Sequence, residues 1–421
     1  MSLFDITAVL LTLAAVFGFL NSRWLRLPPT VGLLAISLAV SLVMMGLHWL
    51  WPPLDLVDTV RAYLENIDFN AALMHGMLGF LLFAGALHSD LEYFLRRRWT
   101  IVLLATVGLL LSTVVVAALG RIVFSLLGMH VSWLACLLFG ALISPTDPIA
   151  VMGTLKTLHA PPSLEAKIAG ESLFNDGVAV VVFTALLAML PETPGHPAVG
   201  GHPALAGPWD ILLFFLREAG GGGLLGLAAG YVAYRMMLAI DDYKVEVLIT
   251  LGLVMGGYSL AETLHVSGPI AMVTAGLLIG NRGRAFAMSP TVTDYLEKFW
   301  ELLDEFLNAV LFLLIGVEVL VVAFDRLHAL AGLLSIGIVL AARWLSVALP
   351  IGLLRLRLSF SEGVVRILTW SGLRGGISVA LALSLPPIPE KPLILTCTYL
   401  VVLFSILVQG MTIRRVLRRF I

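Results

Sequence analysis

Apolar runs of about 20 residues recur along the whole chain, and none shows the alternation of a half-buried strand. At about 1.5 Å per residue a helix of that length crosses the hydrocarbon core of a bilayer. The pattern predicts thirteen spanning helices, at 5–22, 28–50, 69–88, 100–125, 132–156, 163–190, 209–237, 245–263, 267–281, 296–324, 330–354, 361–385 and 392–413. The ninth run is short for a full crossing. No basic region precedes the first run and no small-residue cleavage site follows it, so it reads as a membrane helix and not a signal peptide. No soluble domain is expected after the last.

Composition agrees with this solvent. The 421 residues are 59% hydrophobic and 13% charged, with a mean hydropathy of +1.00. A water-soluble domain carries about a quarter charged residues. In lipid the backbone must satisfy itself, which points to an all-α polytopic membrane protein. A net charge of −1 gives no footprint for nucleic acid. Cys136 and Cys397 lie far apart in apolar runs, without metal-ligand spacing, and read as packing residues.

Charge placement orients the chain. Of 26 Lys and Arg, 18 fall in loops on one side, from Arg23 and Arg26 through Arg96, Arg97 and Arg98 to the C-terminal tail. Four fall on the other side: Arg61, Arg121, Arg326 and Lys391. The basic side is cytoplasmic by the positive-inside rule. That puts the N-terminus outside, the C-terminus inside, and the segment 191–208, which has no Lys or Arg, outside. The expected location is the cell membrane.

Two spans carry helix breakers beside a charge. The fifth contains Ser144-Pro145-Thr146-Asp147-Pro148, and the twelfth contains Ser371-Gly372-Leu373-Arg374-Gly375-Gly376. Two prolines three apart remove two backbone donors and free upstream carbonyls, while glycines permit unwinding. If spans 1–6 and 8–13 are two halves, the fifth and twelfth sit in equivalent places. Paired broken helices of this kind mark transport sites, and an odd helix between the halves makes the second half inverted.

The sixth span holds Gly170-Glu171-Ser172-Leu173-Phe174-Asn175-Asp176-Gly177. On a helix Glu171 and Asn175 are four apart, as are Ser172 and Asp176, so all four share one face. Two carboxylates, an amide and a hydroxyl make a set of hard oxygen ligands suited to small cations. A polar packing patch needs hydroxyls and amides, not two acids. Carboxylates at membrane depth cost roughly 2.5–3.5 kcal/mol each and are functional by default. Asp147 and Thr146 are the second contributor, Asp147 also being placed to offset a helix-end dipole. Arg343 and Arg374 cannot deprotonate and need fixed partners. We assign Arg343 to Glu171, with snorkelling to the cytoplasmic face as the alternative, and Arg374 to the crossing of the broken helices.

The segments SPTDP, GESLFNDG, the span-eleven AAR and GLRGGISVALAL together resemble the monovalent cation:proton antiporters, in the sodium/proton branch that includes the NhaP-type and eukaryotic NHE exchangers. FAGAL at 83–87 followed by Asp90 is a softer match. The resemblance implies an NhaA-like antiporter fold of two inverted six-helix repeats with crossed broken helices, and a homodimer. It implies a moving core of spans 4–6 (about 100–190) and 11–13 (about 330–413) against a scaffold of spans 1–3 and 7–10. It implies Na+ bound at Asp176, Ser172, Thr146 and Asp147 in competition with a proton, and a structural pair of Glu171 with Arg343, supported by Asn175. Some relatives add an acid from the third span, and 74–87 contains none. Electrogenic relatives usually carry Asp where this chain has Asn175.

Counting core charges, Asp147, Glu171 and Asp176 against Arg343 and Arg374 leave the empty site at −1, and one proton or one sodium brings it to zero. The expectation is electroneutral one-for-one exchange, with no cofactor and no enzymatic reaction. Potassium or lithium in place of sodium, and a sodium-coupled solute symporter, are the rival readings. No nucleophile–histidine pair or metal-binding His/Cys cluster accompanies the acids. Glu301, Asp304 and Glu305 are placed either to gather cations or simply to solvate a helix end. Glu318 requires a partner or water, and His75 reads as packing.

Overall fold

The computed structural model describes residues 3–50, 72–158, 160–190, 208–320, 325–356, 358, 360 and 363–420. Arg61, Arg357, nearly all of the 191–208 segment and the side chain of His75 lie outside them. The described chain folds into helices α1 (Leu3–Leu20), α2 (Pro29–Leu50), α3 (Leu78–Leu87), α4 (Leu91–Leu126), α5 (Trp133–Ile143), α6 (Ile149–Thr157), α7 (Pro162–Leu187) and α8 (Leu212–Met237). These are followed by α9 (Tyr243–Thr263), α10 (Gly268–Leu278), α11 (Pro290–Glu318), α12 (Arg326–Leu354), α13 (Val364–Trp370), α14 (Gly376–Leu383) and α15 (Lys391–Phe420). Eight of them are long and apolar enough to cross a membrane: α1, α2, α4, α7, α8, α9, α12 and α15. The other predicted runs are occupied by the shorter α3 and α10, the charge-bearing α11, and the broken pairs α5–α6 and α13–α14.

Three helices run past the apolar windows that announced them. Helix α4 begins at Leu91, where the Asp90 carboxylate accepts the N–H groups of Glu92 and Tyr93 at 2.8 and 3.4 Å. Helix α11 begins at Pro290 behind Ser289, whose hydroxyl accepts the Val292 N–H at 3.4 Å. Its first turns carry Asp294 and Lys298, paired at 2.7 Å. Helix α15 continues to Phe420 with Ile413 and Leu417 buried and Arg414, Arg415, Arg418 and Arg419 turned outward. In each case the extension is amphipathic. One stripe packs inward while charges stay solvated, so mean hydropathy falls although the helix persists.

Packing gathers the helices into clusters. The largest joins α2, α4, α5, α11, α12, α14 and α15, with Leu34, Val116, Phe139, Phe312, Ala342, Leu381 and Tyr399 in its interior. A second joins α3, α8, α9, α10 and the first half of α11 around Trp300. The Trp300 ring lies 4.7 Å from that of Phe83, and its N–H donates to Thr250 Oγ1 at 3.1 Å, so the one polar atom of a large buried side chain is satisfied. A third cluster joins α6, α12, α13 and the end of α15. Helices α1 and α8 are the least covered of the candidate spans and present Phe19, Leu213 and Leu224 outward, as suits a lipid-facing surface.

Small residues permit the closest approaches. A Cβ added at Gly276 of α10 would lie 2.7 Å from both the Ala86 Cβ and the Phe83 carbonyl of α3. Gly276→Val should therefore separate α3 from α10 and destabilise the protein by about 1–3 kcal/mol. Thermal unfolding in detergent, with Gly223→Val as the control at a glycine with open space around it, measures the difference.

Candidate functional site

The chain between α5 and α6 is extended, and so is the chain between α13 and α14. The two stretches meet: the Asp147 N–H donates to the Leu373 carbonyl at 2.8 Å in an antiparallel bridge. Pro145 and Pro148 cannot donate, so carbonyls at the end of α5 are left without helical partners. Arg374 supplies the donors. Its Nη1 donates to the carbonyls of Ser144 and of Pro145, the latter at 2.9 Å, and its backbone N–H donates to Ser405 Oγ at 2.8 Å. The guanidinium is 1% exposed. A fixed positive charge thus sits at the negative end of α5.

Asp147 does the converse at α6. Its Oδ1 accepts the Ile149 N–H at 2.9 Å, which places the carboxylate at the positive end of that half-helix. Gly375 lies so close to this carboxylate that a Cβ there would collide with Asp147 Oδ2. Each charged residue of one break therefore compensates a helix end or a backbone group that the breaks create.

Helix α7 brings its polar face to this crossing. Glu171 and Arg343 form a two-pronged pair: Nη1 meets Oε1, and Nη2 meets Oε2 at 3.0 Å. The remaining guanidinium capacity goes to the Leu368 carbonyl, from Nε at 3.2 Å and Nη2 at 2.9 Å. Gly372 leaves the room that Arg343 fills. Asn175 holds Thr146 from two sides: its Nδ2 donates to Thr146 Oγ1 at 2.9 Å, and its Oδ1 accepts the Thr146 N–H at 3.4 Å. Thr146 Oγ1 and Ser172 Oγ are 3.0 Å apart.

Asp176 is 8% exposed. No hydrogen bond to its carboxylate is found among the described residues. Both acids line a cavity of about 1270 Å³. Thr146 lines it too, as do Glu297, Glu301, Asp304 and Glu305 of α11, with Arg26 and Arg414 among the remaining walls. Of the eight residues assigned from sequence to the ion site and its support, Thr146, Asp147 and Asp176 reach the cavity. Ser172, Glu171, Asn175, Arg343 and Arg374 form the frame behind it. Glu318, buried near the end of α11, lies within electrostatic reach of Tyr399, whose hydroxyl has no hydrogen-bond partner among the described residues.

Among the cavity-lining residues passed over in the sequence are Asn308 of α11 and Ser378 of α14. Asn308 had a visible signal, an amide four residues beyond Asp304 at the head of an apolar run. Ser378 had little, being one hydroxyl in a mostly apolar half-helix.

A helical membrane protein with two broken helices crossing beside buried acids, open to an acid-lined cavity, is built as a cation carrier. The chain belongs to the sodium/hydrogen exchanger family: the transmembrane sodium/hydrogen exchanger model matches residues 9–419. It is accordingly a transporter of the antiporter class and not an enzyme. It is 48% identical over 419 residues to the Na(+)/H(+) antiporter NhaP of Pseudomonas aeruginosa, covering 99% of this chain and 96% of that one. It is 33% identical to the Na(+)/H(+) antiporter NhaH of Halobacillus aidingensis, covering 90% and 91%. Its fold matches that of the sodium proton antiporter MjNhaP1 from Methanocaldococcus jannaschii at pH 8, with a TM-score of 0.75 at 19% identity over 99% of this chain and 98% of that one.

Removing one member of the buried pair leaves the other charged and alone. Glu171→Gln should destabilise the protein by about 3–5 kcal/mol. The check is the thermal midpoint of purified protein, read beside the exposed pair Arg96–Glu92, where Glu92→Gln should shift it little.

Proposed function

We propose that the protein exchanges sodium for protons, one for one, with Asp176 as the carboxylate for which the two ions compete. The observation that supports this reading is that Asp176 is a buried carboxylate without a hydrogen-bond donor among the described residues, lining the same cavity as Asp147 and Thr146 and one helical turn from Ser172. A carboxylate already held by fixed donors is less ready to take up either ion: Glu171 is held by Arg343 and Asp147 accepts the Ile149 N–H, while Asp176 has no donor among the described residues. The relatives named as Na(+)/H(+) antiporters favour sodium over potassium or lithium as the cargo.

Coupling follows from charge. With Glu171 paired to Arg343 and Arg374 offsetting the crossing, the empty site keeps one net negative charge, and a proton or a sodium ion neutralises it. Moving the neutral forms through a low-dielectric barrier is far more favourable than moving the empty one. The result is obligatory, electroneutral exchange. In this mechanism α4–α7 with α12–α15 form a core that moves against a scaffold of α1–α3 and α8–α11, the two halves being inverted repeats. The cavity faces the side carrying Arg26 and Arg414, the basic and hence cytoplasmic side. Assembly is as a homodimer, for which the sparsely covered α1 and α8 offer faces.

In sealed vesicles holding the purified protein, added sodium should release or take up protons, and Asp176→Asn should abolish the response. Potassium tested the same way checks the ion. A native protein that moves no protons with either cation would overturn the reading and favour the sodium-coupled symporter. Competition at one carboxylate also predicts a rate that peaks at intermediate pH. Sodium displaces the proton, so raising it should carry the acid limb toward lower pH, by about one unit for each tenfold increase. Electroneutrality predicts that an imposed membrane potential leaves the rate at saturating ions unchanged, and a voltage-dependent rate would rule it out.

A further inference from the structure

The wall of the cavity formed by α11 and α14 holds two polar side chains that have no hydrogen-bond partner among the described residues. Asn308 is 2% exposed, and neither its Oδ1 nor its Nδ2 has a hydrogen-bond partner among the described residues. Ser378 is 1% exposed, and its hydroxyl is likewise unpaired. Both line the same cavity as Asp147 and Asp176. Their place in it follows from packing. One turn beyond Asn308, Leu311 sits against Gly376, where an added Cβ would meet the Leu311 side chain at 2.6 Å. The neighbouring Gly375 abuts the Asp147 carboxylate. The Asn308–Leu311 face of α11 therefore packs at the start of α14, directly beside the break that holds Asp147, and Ser378 stands in the first turns of that half-helix.

A buried amide has two donors and an acceptor with two lone pairs. Native interiors almost always pair such groups, and an unpaired one calls for an absent water or ion. Packing alone gives no reason for an amide here, since Leu311 to Gly316 further along α11 are apolar and buried. We propose that the Asn308 amide oxygen and the Ser378 hydroxyl are ligands for the transported cation on the α11–α14 wall, and that they set the preference for sodium over a proton and over other monovalent cations. A carboxylate binds a proton and sodium alike. Neutral amide and hydroxyl oxygens coordinate sodium but do not hold a proton near neutral pH. Such oxygens in the cavity that the competing carboxylate lines tilt the competition toward the metal ion without adding charge, so the one-for-one balance is kept.

This inference rests on the exchange reading and deepens it. The test is the sodium dependence of proton flux in vesicles for Asn308→Ala and Ser378→Ala. Loss of an oxygen on a charged ligand should raise the half-saturating sodium concentration about tenfold for Asn308→Ala, with the maximal rate within about twofold of native. At fixed sodium the acid limb of the pH profile should move about one unit toward alkaline pH, and tenfold more sodium should restore it. The ratio of lithium, sodium and potassium half-saturation should change as well. Half-saturation and acid limb unmoved in both variants overturn the assignment, as does a fall in maximal rate alone. Asn308→Leu provides a readout that needs no transport. It should raise the thermal midpoint of the sodium-free protein, because an unpaired amide is removed, and shrink the rise that sodium brings to native protein. An undiminished rise overturns the assignment. If native protein shows no sodium-evoked proton flux, it is the exchange reading that fails, and the melting experiment still decides whether Asn308 binds the ion.

Discussion

The structure turns on one demand: within a low-dielectric interior, every backbone group that a broken helix releases must be met by something fixed. Pro145 and Pro148 release carbonyls at the end of α5, and Arg374 answers them from the opposite break. Asp147 answers the start of α6. The bridge between Asp147 and Leu373 ties the two interruptions together. Neither break is stable alone. Each supplies the charge or the hydrogen bond that the other lacks, so the pair persists as a unit, and irregular backbone is held beside a cavity instead of lipid.

That crossing decides which acid is available for an ion. Of the three carboxylates, Glu171 is saturated by the two-pronged contact with Arg343 and Asp147 is partly engaged by the Ile149 N–H. Asp176 alone has no donor among the described residues. The distinction arises from partners and not from residue type, since burial is similar for Glu171 and Asp176. Asn175 contributes without charge, holding Thr146 in place from both its backbone and its hydroxyl. A frame of groups fixed by one another around one carboxylate without a donor is the arrangement that ion competition needs, because the energy of binding then falls on the ion instead of on rearranging the site.

The cavity beside this frame is lined by charges of both signs. Acids of α11 lie along its wall, and arginines from α15 and from the turn before α2 stand at it as well.

The sequence by itself determined the helical membrane class, the positions of its apolar helices, the two breaks and the polar face of α7. Each of these depends on properties local to a segment: apolar length, proline and glycine, and the four-residue repeat of a helix. Even the correction of helix starts at Leu91 and Pro290 was local, since the capping residues Asp90 and Ser289 were legible though the hydropathy window ignored them. The pairing of Glu171 with Arg343 was inferable because a permanently charged buried arginine needs a fixed anionic or carbonyl partner, and Glu171 was one of few acids in the interior. What only the tertiary structure decided was which groups remained unpaired. Asp176 is open because Glu171 took Arg343, from 172 residues away in the chain. Asn308 and Ser378 are orphaned because α11 packs against the start of α14. Whether a polar group is satisfied is a property of its neighbours in space, and helices distant in sequence supply those neighbours only once they have packed.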